Sequence, residues 1–371
     1  MKRWLRRLVR FFLVGVALLL LLITVEIVSG WRCNLLGQIP PPVSQPKERQ
    51  SAVAGFKNYF RPEDDAYLSL PEWYIVWSYQ EKADFQKANP PSAFPYFGEV
   101  RQYWGNYCCI SRLIRGKYGF NWGEEIMLVV IGNSFSAEYL LKGLYEKTVG
   151  RFSEWTSGVY PSTEEDAYAY QVARDYAHFV QVRPFYEFHF ARHIRGLWTQ
   201  NHFWGNNLFR KWERRAFLTL DYTTEAFYCW LVEKATHLSY GYEPDRTYAW
   251  VDHADAGTLQ IDSVKVVKSI GSGAYIIDAP RYQPFTPVAV ELSRKGTHFV
   301  EIDGNGSITV SVLAQRSWLV ENQFAESLFS QPVLTRPGWQ RVILRCDVAF
   351  LDRALLTLLG DGVTVEHIYD Y

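Results

Sequence analysis

Residues 11 to 25, FFLVGVALLLLLITV, form an uncharged apolar run directly behind the basic start MKRWLRRLVR of residues 1 to 10. This run decides how the rest of the chain is read, as an anchor followed by one translocated body. A spanning helix needs roughly 20 apolar residues, whereas the apolar core of a cleaved signal peptide has about 7 to 15. Leu8 and Val9 extend the run on one side, and Ile27 and Val28 on the other. Counted from 8 to 28, with Arg10 and Glu26 near the ends, it is long enough to span with modest tilt. Val28-Ser29-Gly30 is a weak cleavage site, and Trp31 and Arg32 rule out a lipoprotein role for Cys33. The expectation is an uncleaved anchor.

Charge gives the orientation. Lys2, Arg3, Arg6, Arg7 and Arg10 precede the run, so the short N-terminus stays cytoplasmic and the remainder crosses. Residues 1 to 32 hold six basic residues and one acid, which leaves 33 bases against 38 acids in the body. No basic stripe remains outside the anchor, so nucleic acid is not an expected partner. The expected partners are the lipid bilayer, through residues 8–28, and an envelope protein. The expected address is the inner (cytoplasmic) membrane, single-pass, with the bulk of the chain extracytoplasmic. Five cysteines permit disulfides in an oxidising compartment, but Cys108 and Cys109 are adjacent, and such neighbours rarely bond each other.

Working outward from the anchor, four prolines between Gln38 and Gln50 favour an extended spacer. Beyond it the composition divides. Of 61 aromatic residues, 50 lie in residues 1 to 252, and the change comes near Gly241-Tyr-Glu-Pro-Asp245. The expected division is therefore 1–30 basic stub and anchor, 31–53 spacer, 54–245 a mainly helical aromatic-rich domain, and 246–371 an α+β domain.

In the helical domain, Ser162-Thr-Glu-Glu165 has a capping-box pattern before a helix that Pro184 stops. A second helical segment runs from Phe185 to Trp198, and Asn207 is a fitting N-cap for a long helix to about His237. Residues Glu125 to Lys147 also read as helix, whereas Pro90, Pro91 and Pro95 mark an irregular stretch before it. Glu72 after Pro71 suits a helix first turn. The last domain changes period. Val264–Val267, Ala274–Ile277, His298–Ile302, Ser307–Val312, Arg341–Arg345 and Val363–Ile368 are short, β-branched and bounded by Gly, Pro or Asp. Asp303-Gly-Asn-Gly306 predicts a hairpin turn. Strand-helix-strand patterns recur over 275–302 and 342–368, with helices at 287–295 and 350–359, which suggests a ferredoxin-like sandwich. The expected fold class is α+β.

Four chemistries are weighed on this frame. His189 and His193, with Glu233 and His237, are two i,i+4 pairs that fit four ligands of one metal ion, the expected cofactor if there is one. Arg192 and Arg195 nearby oppose it, as does the lack of HExxH. Val129-Val-Ile-Gly-Asn-Ser134 resembles the nucleophile entry of SGNH-type esterases, and Asp175-Tyr-Ala-His178 resembles their Asp-x-x-His block. That resemblance covers few residues and lacks the surrounding doubly wound pattern. Cys108 and Cys109 carry no redox motif. Lastly, Arg192, Arg195, Trp198 and Trp212 mix rings and cations in a way that suits a headgroup layer. The ordinary alternative packs those rings inward and leaves the charges in water. The functional expectation is a binding or assembly module at the envelope, and the alternative is a metal- or cofactor-dependent enzyme in the helical domain.

Overall fold

The chain begins with α1, Lys2–Arg32, and continues through α2 (Asp65–Gln86), α3 (Tyr96–Ile114) and α4 (Trp122–Tyr145). A π-helical turn over Glu146–Gly150 leads into α5 (Arg151–Trp155), followed by α6 (Glu164–Phe179), α7 (Phe190–Gln200) and α8 (Leu208–Ser239). The computed structural model describes residues 2–32, 35, 60–239, 245–255 and 257–370, leaving out the side chains of 2–9, 11, 12 and 235–239. Most of the expected spacer, the punctuation at 241–244 and the side chain of His237 lie outside it.

Among the described residues α1 is the one helix apolar enough by composition to cross a bilayer. Its last turns rest on α3 and α4. Ile27 is buried there, and Gly30 comes so close that a Cβ would stand 2.6 Å from the Tyr107 ring. Asn133 of α4 donates to the Glu26 carboxylate at 3.3 Å. Arg112 donates to the Arg32 carbonyl, while Arg115 lies over the Trp31 ring at 5.2 Å.

The prolines do not break the helices as their positions suggest. Pro71 sits inside α2, two turns from its start, and Pro95 is the residue before α3. The stretch taken as irregular therefore holds a 19-residue helix. Capping moves by one residue, since Thr163 rather than Ser162 accepts from the Asp166 amide at 3.2 Å.

The second half is two antiparallel sheets. The first contains β1 (Arg246–Asp252), β2 (Lys265–Gly271), β3 (Ala274–Pro280) and, after α9 (Phe285–Arg294), β4 (His298–Ile302). The second contains β5 (Ser307–Gln315), β6 (Ala325–Pro332), β7 (Trp339–Asp347) and, after α10 (Leu351–Gly360), β8 (Thr364–Tyr369). Strand orders are β2-β3-β1-β4 and β6-β7-β5-β8, so one βββαβ plan is used twice. The repeat seen in the sequence is real, but its halves form separate sheets where a ferredoxin-like fold interleaves them in one. The Asp303-Gly-Asn-Gly306 turn forms with Asp303 and Gly304 at positive φ, yet the strands it joins belong to different sheets. It is a crossing point, not a hairpin.

α9 and α10 pack on each other between the units. Helix α2 lies on the second sheet, where Trp73 stacks on His367 with ring centroids 3.6 Å apart. Arg341 of β7 bonds both Glu366 of β8 and Glu81 of α2. The apolar core consequently runs without interruption from Ile27 and Leu68 to Val310 and Ile368.

Candidate functional site in the helical bundle

The start of α8 reads Arg210-Lys-Trp-Glu-Arg-Arg215, and its four cations are all buried. What stabilises them is the acidic first turn of α6 and Glu146 in the π-helical turn after α4. Arg210 pairs with Asp166 at 2.8 Å, Lys211 with Glu164 and Glu165 at 2.9 and 3.1 Å, and Arg214 with Glu146 at 2.8 Å. Arg215 donates to Glu165 and to the carbonyls of Asn201 and His202. Acids at a helix start also favour its dipole, so these carboxylates serve α6 and α8 together.

Two turns further along α8, Lys142 of α4 holds three carboxylates: Glu138 at 2.7 Å, and Asp221 and Glu225 each at 3.0 Å. Tyr79 of α2 donates to Glu138 at 2.5 Å. Lys82 faces the same space and lies over the Tyr139 and Tyr96 rings at 5.6 and 5.9 Å. Among the described residues no carboxylate pairs with it. Burial, with help from Lys142, lowers the Lys82 ammonium below its ordinary range. Burial also raises the Glu225 carboxyl to about 7, against the pull of Lys142. A carboxyl poised near neutrality beside a cavity, as Glu225 is, is what acid–base chemistry uses. Size decides against a substrate here, because the cavity is about 60 Å³. That is room for a few water molecules and nothing larger.

The residues singled out in the sequence fall around this bundle in separate places. His189 is the residue before α7, with ψ 70, so it and His193 are not successive turns of one helix. The His193 ring lies flat on Phe188, with centroids 4.9 Å apart, and burial lowers its pKa. Glu233 is half-buried on α8, and His237 lies outside the described side chains. Among the described residues no group of three or more His, Cys, Asp or Glu is set to hold a metal ion.

Trp198 and Trp212 do come together. Their rings are 6.3 Å apart, and the Arg215 guanidinium lies 5.5 and 5.3 Å from them. Arg192 and Arg195 are exposed on α7, the helix that also carries Trp198. Ser134 is internal to α4, donating to the Val130 carbonyl and accepting from Tyr228 at 2.7 Å. Asp175 is paired with Arg174, so no esterase-like triad assembles. Cys108 is disulfide-bonded, while Cys109, Cys229 and Cys346 are free. Burial pushes those three thiols up to about 11, 12 and 12, which leaves little thiolate for chemistry.

The feature that sequence reasoning missed is the direction of α8. Its cations Arg210, Lys211, Arg214 and Arg215 are at most 3% exposed, whereas Leu220 and Phe227 are 68% and 62% exposed. Every exposed position from Leu208 to Leu231 is uncharged. The outer hydroxyls of Thr223 and Thr224 turn back onto the carbonyls of Thr219 and Leu220. Helix α4 matches it, for its exposed positions between Ile126 and Leu144 are all apolar. A helix on a watery surface shows the opposite arrangement.

No known protein family, curated protein or solved structure matches this chain.

Proposed function

We propose that this chain is a single-pass membrane protein whose extracytoplasmic body acts as a binding or assembly module at the cell envelope. Its helical domain rests against the bilayer through the outer face of α4 and α8. The observation that carries this reading is the inverted α8, with charges inside and apolar side chains outside. Leaving a large apolar side chain half in water forgoes about 1 kcal/mol, so a face of this length calls for a nonaqueous neighbour.

Lipid is the neighbour favoured by position. Glu26 of the apolar α1 meets α4 at Asn133, one turn from Val130, where the apolar face continues. Acyl chains around the anchor are therefore adjacent to that face. The exposed Arg192 and Arg195, on the helix that carries Trp198, suit the headgroup boundary. The disulfide at Cys108 suits an oxidising compartment, in keeping with the orientation given by the basic N-terminus.

The test is site-specific photocrosslinking of the full-length chain in lipid nanodiscs, with a photoreactive residue at Leu141, at Leu220 or at the exposed control Leu319. Lipid adducts at the first two positions and not at the third are expected. Adducts to protein, or none above the control, would overturn the lipid-facing assignment.

A further inference from the structure

We propose that His253 and His298 form a transition-metal site at the end of the first sheet, where the protein supplies two imidazole nitrogens and water the remaining ligands. Register brings the residues together, because Asp252 at the end of β1 pairs with His298 at the start of β4. His253 follows Asp252 with φ 53, a left-handed conformation that turns its side chain off the strand. The two rings stand with centroids 4.8 Å apart at 67°.

Each ring is held by a carboxylate on the same nitrogen. Asp252 lies 2.8 Å from His253 Nδ1, and Asp352 of α10 lies 3.0 Å from His298 Nδ1. A carboxylate at Nδ1 fixes that nitrogen as the protonated one, so the lone pair sits on Nε2. This is the support that metal-bound histidines ordinarily have, and it fixes the orientation of the rings. Asp352 is almost fully buried, and its second oxygen has no hydrogen-bond partner among the described residues. A buried carboxylate left part-satisfied is a cost that a cation bound at His298 Nε2 would offset.

The setting is also of the right size. Both rings line an open pocket of about 580 Å³ together with Trp250, Glu301 and Arg353. That volume falls in the range of small-molecule sites, unlike the small cavity in the bundle. Imidazole pairs favour zinc, copper, nickel and cobalt over magnesium or calcium. The site joins the two βββαβ units, since His298 comes from the first and Asp352 from the second. It is independent of the membrane reading.

The experiment is calorimetric titration of the full-length chain in detergent with zinc, and electron paramagnetic resonance with one equivalent of copper(II). One zinc per chain and nitrogen hyperfine structure from the copper are expected. His253→Asn, which tolerates the left-handed φ, and His298→Asn should each abolish that binding while melting as the parent does. Asp352→Asn should weaken it by about 10- to 100-fold. His189→Ala with His193→Ala should leave it unchanged. Absence of binding to the parent chain, binding kept in both Asn variants, or loss in the His189/His193 variant would each overturn the assignment.

Discussion

Arg214 of α8 and Glu146, in the turn after α4, form an ion pair of 2.8 Å with both side chains 3% exposed. Such a pair is costly to break from one side, because the partner keeps its charge and loses its counter-ion. Arg214→Ala is expected to cost about 3–5 kcal/mol, whereas Arg214→Met combined with Glu146→Leu costs much less. Denaturant unfolding of the full-length chain followed by tryptophan fluorescence measures both. A loss below about 1 kcal/mol for the single variant would show that water reaches the pair.

The same helix shows where the sequence was legible and where it was not. Trp212, Ala216, Leu220, Phe227 and Leu231 recur at helical spacing, and that periodicity correctly predicts that they share one face. It carries no information on which way the face points. The direction is set by Glu146, Glu165 and Asp166, which meet the cations of α8 from 44 to 68 residues away. The strands taken from β-branched runs are all present. β1 and β6 escaped because their runs are poor in β-branched residues, and the second is largely an exposed edge. Helices α2 and α3 were obscured by Pro71 and Pro95, which tertiary packing tolerates inside one and ahead of the other. The paired histidines of the first sheet are 45 residues apart and meet through strand register alone.

Glu99 predicts a pH dependence. Burial, then the nearby Glu81, raises its carboxyl from 4.5 to about 8, and Tyr74 donates to it at 2.7 Å. The folded chain therefore holds this proton more tightly than the unfolded chain. Its contribution is fully present below pH 4.5 and is lost as pH rises towards and through 8. Glu99→Gln keeps the neutral shape, so it is expected to match the parent chain near pH 5. At pH 8.5 it should exceed the parent's stability by an amount on the order of 2–4 kcal/mol. Equal pH slopes for the two chains would sink this account.

Gly30 predicts that the end of α1 is docked on α3. A Cβ there would meet the Tyr107 ring at 2.6 Å and the Ser111 hydroxyl at 3.2 Å. Tyr107 cannot swing aside freely, since its hydroxyl donates to Glu125 at 2.9 Å. Gly30→Leu should lift α1 from α3 without disturbing the sheets. Hydrogen exchange in detergent is expected to speed up over residues 107–114 and stay unchanged in β5 and β7. Unaltered protection in α3 would mean that this contact does not hold α1.

Leu141 and Leu220 test the inverted face by the sign of a stability change. They are 70% and 68% exposed, and on a surface in water either could become Glu with an effect within about 0.5 kcal/mol. Against acyl chains the same substitution places a carboxylate in hydrocarbon, at a cost of about 2.5–3.5 kcal/mol when deep and less near the headgroups. Leu319, 73% exposed between β5 and β6, provides the water-facing reference. In nanodiscs, Leu141→Glu and Leu220→Glu are expected to lower stability while Leu319→Glu does not. The position of the loss along α4 and α8 then reports depth, because the penalty falls towards the interface. Three neutral outcomes would place the face in water. Losses that vanish when the chain is diluted in detergent would instead point to contact between copies, since only that contact depends on concentration.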